Sequence, residues 1–167
     1  MPQPARQIVY VDTNVVIEAI DCGCWKALLN HYDVRTVAEV RREAQAGNRR
    51  IKSYVVVDDA LFDSKVTVVE VTNTQVAAAQ LRSRLMTQID PGERDLLAYV
   101  AVQDQNALVL TTGDRAAVRA ACALGLAERL RSLEELAGDC GQKPAVADWF
   151  TKKWLSKVKM EFLLAST

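Results

Sequence analysis

The chain has 167 residues, half of them hydrophobic and a quarter charged, with 21 basic against 21 acidic side chains and a formal net charge of zero. That balance fits one ordinary globular domain and excludes a disordered, fibrous or globally basic nucleic-acid-binding chain. No stretch is apolar enough to span a bilayer and no apolar leader follows Met1, so a cytoplasmic protein without membrane attachment is expected. Cys22, Cys24, Cys122 and Cys140 form no C-x-x-C pair, and His31 is the single histidine, which leaves few ligands for a closed zinc site.

Ile8-Val9-Tyr10-Val11 is a β-branched run that reads as a buried parallel strand, with Asp12 at its carboxyl end. A helix follows from Val15 to about Ile20, and Trp25, Leu28 and Leu29 give helical spacing between Cys24 and His31. Tyr32 to Val37 reads as a second strand. Ala38 to Ala46 reads as a helix ending at Gly47, with Glu39 in its first turn, where the helix dipole favours a carboxylate. Arg35, Arg41, Arg42, Arg49, Arg50 and Lys52 form a basic stretch opposed only by Glu39 and Glu43; it is either a solvated face or a track for a phosphate backbone.

Residues 48–65 carry no clear period and are consistent with a lid or a short extra element. Val66 to Val71 is a third strand candidate, followed by a helix capped by Asn73 or Thr74 with Ala77, Leu81 and Leu85 on one face. Asp90-Pro91 then opens a helix predicted to reach about Gln105, with Glu93 and Asp95 in its first turns. Ala107 to Leu110 is a fourth apolar strand that closes in Thr111-Thr112-Gly113-Asp114, before a helix from Arg115 to Leu124. A short strand and a helical turn are expected over Glu128 to Leu136.

Strands alternating with helices predict an α/β fold with a parallel sheet, whose right-handed crossovers bring the strand carboxyl ends to one edge. Asp12 and Asp114 lie at such ends; Glu39, Glu93 and Asp95 lie in helix starts near the same edge. Gathered carboxylates repel and raise one another's pKa unless a cation is present. Mg²⁺ or Mn²⁺, hard ions that prefer oxygen ligands, resolves that repulsion. Such an ion activates water and stabilises charge on phosphoryl oxygens. Receiver domains and haloacid-dehalogenase phosphatases also place acids at strand ends. The former need adjacent acids after the first strand and the latter a D-x-D, and neither pattern is present.

Asp12-Thr13-Asn14 after the first strand, the Gly92-Glu93 and Asp95 helix start, and Thr112-Gly113-Asp114 after the fourth strand resemble the motifs of the PIN-domain ribonucleases. The resemblance covers about Ile8 to Leu136. It implies a three-layer fold and an endoribonuclease that leaves a 5′-phosphate and a 3′-hydroxyl. It implies catalytic acids Asp12, Glu39, Glu93, Asp95 and Asp114, of which Asp12, Glu39, Asp95 and Asp114 would hold Mg²⁺ or Mn²⁺. Asn14, Thr111 and Thr112 would support the acids or touch phosphate, unless they only cap strand ends, and Arg41 and Arg42 would contact the RNA. A toxin paired with an antitoxin or other protein partner, a solitary processing enzyme, and a non-catalytic PIN-like module binding RNA or protein all share these motifs.

Residues 1–142 are thus expected to form the PIN-like domain and residues 143–167 an extension. Pro144 to about Leu164 is predicted to be one amphipathic helix, with Phe150, Trp154, Val158 and Phe162 spaced by four. A row so apolar must be covered, by its own domain, by a second copy in a homodimer, or by another protein.

Overall fold

The computed structural model describes residues 2–46 and 55–167. The β-branched runs form four strands: β1 (Ile8–Val11), β2 (Asp33–Val37), β3 (Thr67–Val69) and β4 (Leu108–Thr111). They make one all-parallel sheet in the order β3-β2-β1-β4, with Val9 paired to Val34 on one side and Val109 on the other. Nine α-helices are present among the described residues: α1 (Thr13–Asp21), α2 (Trp25–His31), α3 (Ala38–Gln45), α4 (Asp59–Lys65), α5 (Asn73–Arg82), α6 (Pro91–Val100), α7 (Arg115–Ala123), α8 (Leu133–Asp139) and α9 (Lys152–Ala165). The architecture is the expected α/β one, a central parallel sheet with a helical layer on each face.

The two-residue period of the strands sorts the core into these layers. Tyr10, Leu108 and Leu110 face one side and pack with Val40 of α3, Leu96 and Leu97 of α6, Val118 of α7, and Leu155 and Val158 of α9. Val9, Val11 and Val34 face the other and pack with Val15 and Val16 of α1, Leu28 of α2, Phe62 of α4, and Leu133 and Leu136 of α8. Both faces are therefore dry, which is why the strands read as continuous apolar runs rather than alternating ones.

Several expected boundaries shift. The cap of α5 is Thr72, in a reciprocal capping box with Gln75, not Asn73 or Thr74. That register buries Ala79 and leaves Leu81 exposed, whereas Ala77 and Leu81 were expected to share the apolar face. Helix α6 stops at Val100, short of Gln105. The strand expected after Glu128 is a single bridge between Leu110 and Leu130. The expected cap at Gly47 and residues 48–54 of the lid segment lie outside the described residues; of the remainder, residues 59–65 form α4.

The C-terminal segment is not one helix from Pro144. A short turn, Asp148–Phe150, precedes α9, whose cap Thr151 accepts from Trp154 N at 3.2 Å. Phe150 consequently leaves the predicted row and enters the layer of α1 and α8, while Leu155 and Val158 enter the opposite layer. Backbone hydrogen bonds fix both ends of the connection: Ala147 N donates to Glu18 Oε1 at 2.9 Å and Lys152 N to Glu134 Oε2 at 2.7 Å. Arg115 at the start of α7 pairs with Glu161 of α9. The apolar row is thus covered largely by the chain itself. No helix among the described residues is long and apolar enough to cross a membrane.

Candidate active site

The strand order places a switch point between β1 and β4. From β1 the chain steps outward to β2 and β3, then returns past β1 to β4. In open parallel sheets the crevice at the carboxyl ends of such a strand pair is where ligands bind. The residues that leave these two ends are Asp12 and Thr112, and they meet. Thr112 Oγ1 donates to Asp12 Oδ2 at 2.5 Å, while Oδ1 of Asp12 accepts from Val15 N at 2.9 Å and caps α1. Both carboxylate oxygens are therefore fixed. Asp12 is 1% exposed, and burial pushes its carboxyl up to about 6, against the lowering effect of its two donors.

Three further carboxylates surround it. Asp114 caps α7 by accepting from Ala117 N at 2.8 Å, and its own N–H donates to Thr112 Oγ1 at 3.2 Å, so one threonine links the two acids. Glu93 sits on the first turn of α6, buried, with Oε2 accepting from Asp90 N at 3.4 Å. Burial, then the charges of Asp12 and Asp114, push Glu93 up to about 9. It therefore holds a proton at neutral pH.

The fourth acid is Glu43, which was not expected here. It lies on α3 and its Oε2 accepts from Thr13 Oγ1 at 2.5 Å, and its charge is felt by Asp12. Helix α6 approaches it closely: a Cβ on Gly92 would stand 2.8 Å from Glu43 Oε2 and would push that carboxylate aside. Glu39 was preferred from the sequence because it lies in the first turn. The helical angle decides otherwise: with Val40 and Ala44 facing the core, Glu43 is nearer the buried stripe than Glu39. That spacing of Val40 and Ala44 was the signal available in the sequence; the pairing of Glu43 with Thr13 was not legible there.

The other expected residues are placed differently. Glu39 accepts two hydrogen bonds from Arg42, whose guanidinium, with that of Arg94, holds it below its ordinary value. Asp95 accepts from Arg94 at 2.9 and 3.1 Å. Both acids are thus committed to arginines and are replaced in the cluster by Glu43. Arg41 is buried, its guanidinium bound by Asp59 and Asp63 and stacked 4.7 Å from the Phe62 ring, so it anchors α4 and does not reach outward. Arg42 is exposed on Glu39, and Arg35 is held by Asp33. Arg49, Arg50 and Lys52 lie outside the described residues. Asn14, two residues after Asp12 on the first turn of α1, is exposed. Thr111 is fully buried and its hydroxyl has no partner among the described residues.

The site thus gathers Asp12, Glu43, Glu93 and Asp114, an all-oxygen donor set. Among the described residues no three His, Cys, Asp or Glu side chains already converge tightly enough to hold an ion. Each carboxylate is instead engaged by a donor of its own chain. The chemistry of the set nonetheless fits a hard divalent cation, because four acids share one crevice and Glu93 is pushed up first by burial and then by the charges of Asp12 and Asp114, both of which a cation would offset. No family model matches the chain, and no curated protein matches it.

Proposed function

We propose that this chain is a divalent-metal-dependent endoribonuclease of PIN type. The observation that carries the reading is the coupled set of Asp12, Glu93 and Asp114, with Glu43, at the β1–β4 switch point. A fold that buries mutually repelling acids at its ligand-binding edge gives up stability, and a cation offsets that loss. Asp12, Glu43, Glu93 and Asp114 would hold Mg²⁺ or Mn²⁺. When bound, the ion supplies Lewis acidity at a phosphoryl oxygen and lowers the pKa of a water.

The chain's own residues set the geometry. Thr112 orients Asp12 and Asp114 together, and Thr13 orients Glu43. Asn14, exposed two residues after Asp12, would donate its amide to a phosphate oxygen. The choice of RNA rests on the resemblance of Asp12-Thr13-Asn14 and Thr112-Gly113-Asp114 to the PIN motifs. The test is cleavage of end-labelled single-stranded RNA by the purified chain with Mg²⁺ or Mn²⁺. Fragments bearing 5′-phosphate and 3′-hydroxyl ends support the reading. RNA that stays intact while the protein binds it identifies a non-catalytic module instead.

A further inference from the structure

A second group of reactive side chains lies at the far end of α1. Helix α1 starts on Asp12 and ends nine residues later, so about 13 Å of helix separates this group from the acids. Cys22 caps that end, Gly23 turns the chain with φ +83°, a conformation that suits glycine, and Cys24 opens α2. The turn brings the two thiols onto one side, with Sγ to Sγ at 3.4 Å. Two residues apart, their Cα atoms lie within about 7 Å in any backbone conformation, a span a disulfide can bridge after a side-chain rotation. Gly23 has open space around it, so the turn can adjust. The two thiols differ in access: Cys22 is half-buried, Cys24 fully buried.

We propose that Cys22-Gly23-Cys24 is a redox-active dithiol, separate from the acid site, that exchanges with low-molecular-weight disulfides such as glutathione disulfide. The more accessible Cys22 loses its proton to solvent and attacks one sulfur of the disulfide. The S–S bond of glutathione disulfide breaks, one glutathione leaves as thiolate, and Cys22 carries a mixed disulfide. Cys24 then loses its proton and attacks the Cys22 sulfur, expelling the second glutathione. The protein is oxidised by two electrons and glutathione disulfide is reduced to two thiols. Burial pushes the Cys24 thiol up to about 12, aided by the hydrogen bond and charge of Cys22. The two contributions of Cys22 vanish once it carries glutathione, which lowers the Cys24 thiol in part while burial still holds it up. Closing so short a loop constrains the unfolded chain little, and a strained, partly exposed bond of this kind is readily reduced.

The test equilibrates the full chain in glutathione buffers of increasing oxidation, followed by acid quenching, alkylation and tryptic mass mapping. Trypsin places Cys22 and Cys24 in the peptide of residues 7–26, apart from Cys122 and Cys140. The expected result is that this peptide loses both alkylatable thiols and two hydrogens, reversibly, while Cys122 and Cys140 stay alkylated. Cys24→Ser should stop at a glutathione adduct on Cys22, with unchanged circular dichroism. Two results overturn the proposal: both thiols still alkylated in the most oxidising buffer, or Cys22 joined to Cys140, whose thiol lies near enough to influence Cys24.

Discussion

Thr112 holds Asp12 across the β1–β4 junction, its hydroxyl 2.5 Å from Oδ2 and its Oγ1 also accepting from the amide of Asp114. One side chain therefore sets the positions of both strand-end acids. Thr112→Val keeps the shape but leaves Asp12 Oδ2 and the Asp114 amide without that partner. The expected outcome is a folded protein with about 1–3 kcal/mol less stability and RNA cleavage reduced by roughly 10-fold or more. Thr112→Ser, which retains the hydroxyl, should recover most of the rate. Equal loss in both variants would show that the threonine acts only through packing.

Glu43 and Glu39 lie one turn apart on α3 but face different partners, Thr13 and Arg42 respectively. Glu43→Gln should lower cleavage by about 10²-fold, the scale expected when a group that positions a catalytic ion loses its charge. Glu39→Gln should leave the rate within a few-fold. On α6 the same contrast is expected between Glu93→Gln, strongly impaired, and Asp95→Asn, mildly so. Rates measured at matched stability decide the assignment, and a larger loss at Glu39 or Asp95 would reverse it.

What the sequence disclosed and what it hid follow from geometry. A β-branched run stopping on an acid is a one-dimensional signal, so β1 with Asp12 and β4 with Asp114 could be read directly, and helix order then fixed the sheet edge. Glu93 was legible for the same reason, through Asp90-Pro91. Glu43 was not, because its partner Thr13 and the helix α6 beside it lie far away in the sequence and meet it only in the fold. Arg41 was misread because its partners Asp59 and Asp63 belong to α4, in a segment without a period. Phe150 was misread because the four-residue spacing continues across a cap at Thr151 that breaks the helix.

Without a cation the protein should lose stability as pH rises. Asp12 titrates near 6 and Glu93 near 9 in the fold, against ordinary values of 3.8 and 4.5. The folded chain therefore holds protons that the unfolded chain has released. Stability from the protonated forms is complete below about pH 4, falls through pH 6 for Asp12, and continues to fall through pH 9 for Glu93. Denaturant midpoints measured at pH 5, 7 and 9 in chelator should decline in that order. Glu93→Gln should flatten the decline above pH 7, and saturating Mg²⁺ should restore the wild-type midpoint. A midpoint that rises with pH over this range contradicts the assignment.

Phe150 lies against Gly113, between the two site residues Thr112 and Asp114. A Cβ on Gly113 would stand 2.4 Å from the Phe150 ring. The C-terminal segment thus supports the loop that carries the acids. Phe150→Ala should cost about 3–5 kcal/mol and lower cleavage together with thermal stability. Gly113→Ala should also destabilise, through overpacking. Removal of residues 144–167 should expose Leu110's layer and the face of α7 and aggregate the protein. A stable truncated chain with full activity would show that the segment is dispensable.

The most direct measurement is RNA cleavage by wild-type protein and Asp12→Asn, each with Mg²⁺, with Mn²⁺ and with chelator, after circular dichroism has shown both to be folded. Wild type should cleave with either ion, not with chelator, and again when the ion is restored, while Asp12→Asn should be at least ~10²-fold slower. Cleavage that persists in chelator, or an Asp12→Asn protein as active as wild type, would contradict the proposed metal-dependent nuclease.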